Sequence, residues 1–141
     1  SLGQRIQGWK NIAFPLIKDH FLLGSGLATY RKISYHYSSS AYVPHSHAHS
    51  IYLNYLCEIG ILGASTLFLS IGVFIKKCLT LFHRKSFFVA NGILIGFFLA
   101  IVGALIYGTV ETFIDYFQLG LLFWAIIGMG VGTIERIERR T

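Results

Sequence analysis

The sequence predicts an all-α integral membrane protein, with three transmembrane helices preceded by an extracytoplasmic loop that carries an amphipathic interfacial helix. Composition is the first sign: of 141 residues, 54% are apolar and only 13% charged, about half the charged fraction of an average soluble domain. The second is that three stretches, at about 51–75, 86–110 and 116–134, are each apolar over the roughly 20 residues a helix needs to cross about 30 Å of hydrocarbon. The third is the placing of the twelve Lys and Arg in separate groups. Despite a net charge of +6, that scatter argues against nucleic acid as a partner, which needs its cations on one face. An aromatic content of 16% excludes disorder. The two cysteines, Cys57 and Cys78, lie about 31 Å apart along a continuous helix, too far for a disulfide, so the redox compartment stays open. The chain begins at Ser1 with neither an initiator Met nor a cleavable signal pattern, and is expected to be a piece of a longer protein.

The elements follow in order. Residues 1–50 form the extracytoplasmic region. Within it Ile6, Trp9, Ile12, Ala13, Leu16 and Ile17 recur at helical spacing, which predicts an amphipathic helix over about 4–18 that can lie on the membrane surface or pack on other spans, the interfacial placement being the expected one, with Pro15 bending it or ending it early. Gly24-Ser25-Gly26 marks a turn or a close approach of backbone. Ser34 to His47, rich in Ser, Tyr and His and without periodicity, reads as an ordered loop. The first span holds one charge, Glu58, near its start, and the other two hold none. Lys76, Lys77, Arg84 and Lys85 make the loop 76–85 cytoplasmic, and Arg136, Arg139 and Arg140 do the same for the tail 135–141. The connection from Glu111 to Asp115 has acids and no base, as an outer loop should. Tyr52, Tyr55, Tyr107, Phe113, Tyr116 and Phe117 then gather at the outer interface.

Two groups of residues carry possible chemistry. His45, His47 and His49 alternate, so in an extended segment they share a face and can converge on Zn or Cu; no carboxylate or thiol stands beside them in sequence, and a solvated loop is the plain reading. Ser50, Asn54 and Glu58 are spaced by four and stack on one helix face. Glu58 lies about 13 Å along that helix, at a depth where an ionisable group usually faces a cavity or a partner. The alternative is that it pairs with an Arg of another span, while Gly60, Gly63 and Ala64 merely allow close helix packing.

The stretch His49-Ser-Ile-Tyr-Leu-Asn-Tyr-Leu-Cys-Glu-Ile-Gly-Ile-Leu-Gly63 resembles the signature of bacterial O-antigen ligases and related polymerases: His, then Asn, Ser or Gln, nine residues, then Gly-x-x-Gly. Upstream, Arg5-x-x-x-Trp9, Pro15 and Gly24-Ser-Gly26 resemble the Arg-containing helix and glycine turn of that family's periplasmic loop. Ala64 departs from the commoner Gly, Thr or Tyr, and Trp9 from the commoner Leu. The resemblance covers roughly residues 3–75.

It implies a multi-pass glycosyltransferase of the bacterial cytoplasmic membrane. Such an enzyme moves a glycan from an undecaprenyl-diphosphate carrier to an acceptor hydroxyl on lipid A-core, a growing polysaccharide or a protein, on the outer face and with no metal or other cofactor. By position, His49 is implied as the catalytic histidine and Arg5 as the arginine that contacts the donor diphosphate, with Ser50, Asn54, Glu58, Gly60 and Gly63 in support. The chemistry is compatible: imidazole can accept the acceptor's proton, and a guanidinium pairs with phosphate oxygens as a planar fork. His45 and His47 have no counterpart in the pattern, and Arg31 and Lys32 add positive field or are simply solvated. Besides donor and acceptor, membrane lipid is the remaining expected partner. The fragment alone is expected to be inactive. The competing reading is a non-enzymatic membrane module that binds metal through His45, His47 and His49; it makes the three histidines equally important and function sensitive to chelators.

Overall fold

A computed structural model of the chain describes residues 2–37, 46–83 and 92–139, and among these every regular element is helical. Contacts divide the chain into two compact units, one of Ser1–Leu67 with Gly108–Phe113, the other of Phe68–Tyr107 with Ile114–Thr141. Helix α4 (Ile51–Phe82) contributes to both.

The first unit opens with α1 (Leu2–Gly8), a π-helical turn (Trp9–Ala13) and α2 (Phe14–Asp19). Gly8, Ala13 and Phe14 keep right-handed helical angles, so the three run as one helix. Pro15 does not end it early. The ring falls in the first turn of α2, where a missing N–H does least harm, and the wider π turn before it relaxes the clash that a proline ring makes with the carbonyl four residues back.

The apolar face is the one the spacing predicts from Ile12 onward, but protein covers it. Ile12, Ala13 and Leu16 are buried with Tyr30, Ala48 and Cys57, and Ile17, Ile33 and Leu53 pack around them. From Ile12 onward that face is therefore packed on protein, although Ile6 stays exposed. Part of the predicted loop is also helical: α3 (Tyr30–Tyr37) buries Tyr30 and Ser34, one turn apart, on its inner side. Residues 38–45, and with them His45, lie outside the described residues.

The first predicted span differs most from expectation. Helix α4 runs on to Phe82, beyond the predicted 75, and is broken at Gly60, which takes φ +64° and ψ −174°. In an unbroken helix the N–H groups of Ile61 and Leu62 would bond the carbonyls of Cys57 and Glu58. Instead Ile61 N–H donates to Phe21 O at 2.8 Å and Leu62 N–H to Leu22 O at 3.3 Å. The released carbonyls are taken by the glycine turn: Cys57 O accepts from Ser25 N–H at 2.9 Å and Ser25 Oγ–H at 3.0 Å, and Glu58 O accepts from Gly26 N–H at 2.8 Å. Gly24, at φ +73°, and Gly60 meet face to face, and a Cβ on Gly60 would lie 2.5 Å from Gly24 N and from the Leu22 carbonyl group. Both glycines are thus needed twice, for left-handed φ and for the close approach.

The second unit holds the rest of α4, α5 (Gly92–Tyr107) and the whole of α6 (Phe117–Glu138), which follows a short 3-10 turn at Phe113–Asp115. Phe74 packs directly on Gly130, where a Cβ would come 2.6 Å from its ring, and Phe82 meets Phe98 edge to face at 5.1 Å. Lys77 Nζ lies 3.5 Å from Glu138 Oε2, which puts the basic residues of late α4 and late α6 at one end of this unit. Lys76 and Lys77 sit inside α4 rather than in a loop.

Helices α4 and α6 are long and apolar enough to cross a membrane, and only 28% and 22% of their apolar windows is buried within the chain, unlike the core helix of a soluble domain. Apolar α5 has 16 residues. It stops at Tyr107, short of the predicted 110, and residues 86–91 of the predicted 86–110 span lie outside the described residues, as do Arg84, Lys85 and Arg140.

Candidate functional site

The site forms where the start of the first helix, the residues before α4 and the segment Gly108–Phe113 meet, all within the first unit. Ala48 is its anchor. Trp9 Nε1–H donates to Ala48 O at 2.6 Å, and Ala48 N–H donates to Asn54 Oδ1 at 3.2 Å, so both backbone groups of one buried residue are held by side chains from two helices. Three residues further on, Ile51 N–H donates to Gly108 O at 2.9 Å. Held on both sides, His49 adopts φ +50°, a left-handed conformation that a residue with a Cβ takes only when its surroundings enforce it. The turn brings the His47 and His49 rings edge to face, with centroids 4.4 Å apart.

Glu111 completes the cluster. One of its carboxylate oxygens lies 3.4 Å from His49 Nδ1 and 3.7 Å from His47 Nδ1, while the other lies 3.8 Å from Arg5 Nη2. Arg5 Nη1–H also donates to Val110 O at 2.5 Å, which ties the first helix to this segment. The side chains of His47, His49 and Glu111 are 16%, 20% and 19% exposed and that of Arg5 34%, so the cluster is sheltered but open on one side. Burial pushes the Glu111 carboxyl up, but the Thr112 N–H bond, the His49 contact and the charges of His49 and His47 together hold it below the ordinary carboxylate value. A carboxylate facing Nδ1 favours the tautomer with its proton there and leaves the lone pair on Nε2.

The structure places the other predicted residues elsewhere in the same unit. Ser50, just before α4, and Asn54 and Glu58 within it are all buried, on the face their spacing predicts, but that face looks onto protein. Asn54 holds Ala48. Glu58 faces no cavity and no arginine: its carboxylate accepts Ala28 N–H at 3.0 Å and Tyr30 N–H at 3.1 Å, capping the start of α3 from across the unit. That cap also holds Ala28 at φ +57°. The spacing could show which face Glu58 occupied, but not that a helix began opposite it. Gly60 is a helix break and not a packing site, and the space beside Gly63 is filled by Ile59 of its own helix, 2.8 Å from where a Cβ would be.

Glu111 was not singled out as a site residue by the sequence. Its one signal was the acidic connection between the second and third spans, which charge asymmetry put on the same side as His47 and His49.

Residues 1–68 match the family described as O-Antigen ligase, a segment that contains every residue of the cluster except Glu111. No curated protein and no solved structure matches the chain.

Proposed function

From the match of residues 1–68 to the family described as O-Antigen ligase, we propose that the chain forms part of a bacterial cytoplasmic-membrane glycosyltransferase that moves a glycan from an undecaprenyl-diphosphate carrier to an acceptor hydroxyl, with His49 as its base. The observation that carries this reading is the Arg5–Glu111–His49 cluster, in which a fixed cation, a carboxylate and an imidazole meet within 3.8 Å contacts.

The step balances simply. The acceptor oxygen attacks the anomeric carbon as its proton passes to His49 Nε2, and the bond from that carbon to the diphosphate oxygen breaks, its electron pair leaving with the lipid diphosphate. Glu111 orients the ring through Nδ1 and stabilises the imidazolium that results. Arg5 offers the departing diphosphate charge and planar donors without changing its protonation. In this reading residues 1–50 and the Glu111–Asp115 connection face the outer side, and the basic ends of α4 and α6 the cytoplasm.

A second reading draws on the same cluster: His47, His49 and Glu111 offer ligand atoms within 4.8 Å of one another, a donor set that suits zinc. The Arg5 guanidinium 3.8 Å from Glu111 weighs against it, because a fixed positive charge repels a dication. Glycan transfer from an undecaprenyl-diphosphate donor, measured on the protein of the full reading frame, separates the two. The transferase reading expects transfer to collapse in His49→Ala and Arg5→Ala and to persist in His47→Ala and in chelator-treated wild type. Equal losses at both histidines with chelator sensitivity would replace it by the metal site.

A further inference from the structure

The first unit carries an apolar tip that the site does not use. Phe21, Leu22, Leu23 and Leu27 are 52%, 61%, 77% and 69% exposed, on the loop that leaves α2 and turns at Gly24. Its level along α4 is set by hydrogen bonds, since the carbonyls of Phe21 and Leu22 accept the N–H groups of Ile61 and Leu62.

Helix α4 changes character at that level. From Ile51 to Ile61 none of its residues is exposed, because α3 and the glycine turn wrap it; Leu62, 55% exposed, is the first that is. Asn54 and Glu58, polar residues of α4 that would be costly in hydrocarbon, precede the break and are satisfied by protein, and the next charges along the helix are the exposed Lys76 and Lys77. From Ile61 to Ile75 the helix carries no charge over about 22 Å at about 1.5 Å per residue, and the stems of exposed Lys76 and Lys77 can carry their charges on towards the far surface. The apolar tip therefore lies level with the point where α4 begins to expose apolar side chains. Exposed Lys18, Arg31 and Lys32 flank it in the chain, cations of the kind that sit among lipid phosphates.

We propose that Phe21, Leu22, Leu23 and Leu27 insert into the bilayer leaflet on the His49 side, so that the membrane surface lies near Gly60 and the His49 cluster stands above the hydrocarbon. The segment Ile51–Ile59 then belongs to the unit outside the bilayer, and the break at Gly60 marks the point of entry. The inference rests on α4 crossing the membrane and not on the transfer chemistry.

Site-directed spin labelling tests it on the full-length protein in phospholipid nanodiscs. Cys57 and Cys78 are both buried, so Leu23→Cys and Leu27→Cys, with Lys10→Cys on the polar face of the first helix as reference, take the label at the introduced site. Labels at 23 and 27 should collide several-fold more often with oxygen, which concentrates in lipid, than with a water-soluble nickel chelate, and the label at 10 should show the reverse. Nickel-dominated collisions at 23 and 27 would place the tip in water, and low collision with both reagents would place it under another protein segment. Either result overturns the proposal while leaving the glycan-transfer experiment unaffected.

Discussion

Gly60→Ala should be the most damaging single-methyl change in the first unit. Gly60 lies at φ +64° and ψ −174°, a region that residues with a Cβ enter at about 1–3 kcal/mol. The added carbon would also sit 2.5 Å from Gly24 N and from the Leu22 carbonyl carbon and oxygen, all of them backbone atoms with no rotamer by which to retreat. Relief requires the turn to move away from α4. That movement gives up some of the exchanged bonds at Ile61, Leu62, Cys57 and Glu58, each worth about 0.5–1.5 kcal/mol net. With the strain and the loss of one or two of these bonds taken at mid-range, the total is about 3–4 kcal/mol, at the severe end for a point substitution.

The matched control is Gly72→Ala, where an added Cβ meets nothing within 4 Å and the backbone is helical; alanine there should be neutral or stabilise by up to about 1 kcal/mol. Thermal unfolding of the purified full-length variants in one detergent compares them. Gly60→Ala falling within about 1 kcal/mol of wild type, when severe losses are several times that, would show that the two backbones do not cross there. Damage from Gly72→Ala as large would show that the assay reads any change to α4.

Two further outcomes follow from the carboxylates. Glu58→Ala strands the N–H groups of Ala28 and Tyr30 and should destabilise by about 2–4 kcal/mol, with amide exchange faster throughout α3; Glu58→Gln, which keeps one acceptor, should lose less. For Glu111 the folded value lies below the ordinary one, so its stabilising contribution is complete above about pH 4.3 and is lost as pH falls through the lower folded value. Melting temperature measured against pH should fall on the acid side for wild type and fall less for Glu111→Gln; parallel acid limbs would mean that the carboxylate is not coupled to its histidines.

What the sequence revealed depended on the range of the interaction. Ile12, Ala13 and Leu16 were legible as a buried face because helical period is local, and Ser50, Asn54 and Glu58 as one face for the same reason. The period could not say what lay opposite. Glu58 read as a charge in lipid until α3 supplied two N–H donors, and α3 was itself read partly as loop because Tyr, Ser and His form helices weakly and its first turn is capped by a residue 28 positions away. Glu111 is 62 residues from His49, and only the side of the membrane, not the contact, could be inferred from charge.

Gly24 and Gly60 show the same limit from the other direction. Each was conspicuous alone, Gly24 as a turn or a close approach of backbone and Gly60 as a signature glycine or a packing site, yet neither reading required the other. Backbone meeting backbone leaves no side-chain pattern; its trace is two glycines that have no other reason to be glycine. The consequence reaches the site. The same exchange that breaks α4 hangs the lower end of the first helix from Ile61 and Leu62, while Trp9 and Arg5 fasten its upper end to Ala48, Val110 and Glu111. The arginine is thus set beside the histidine by a helix pinned at both ends, and a defect at Gly60 should reach the cluster through that helix.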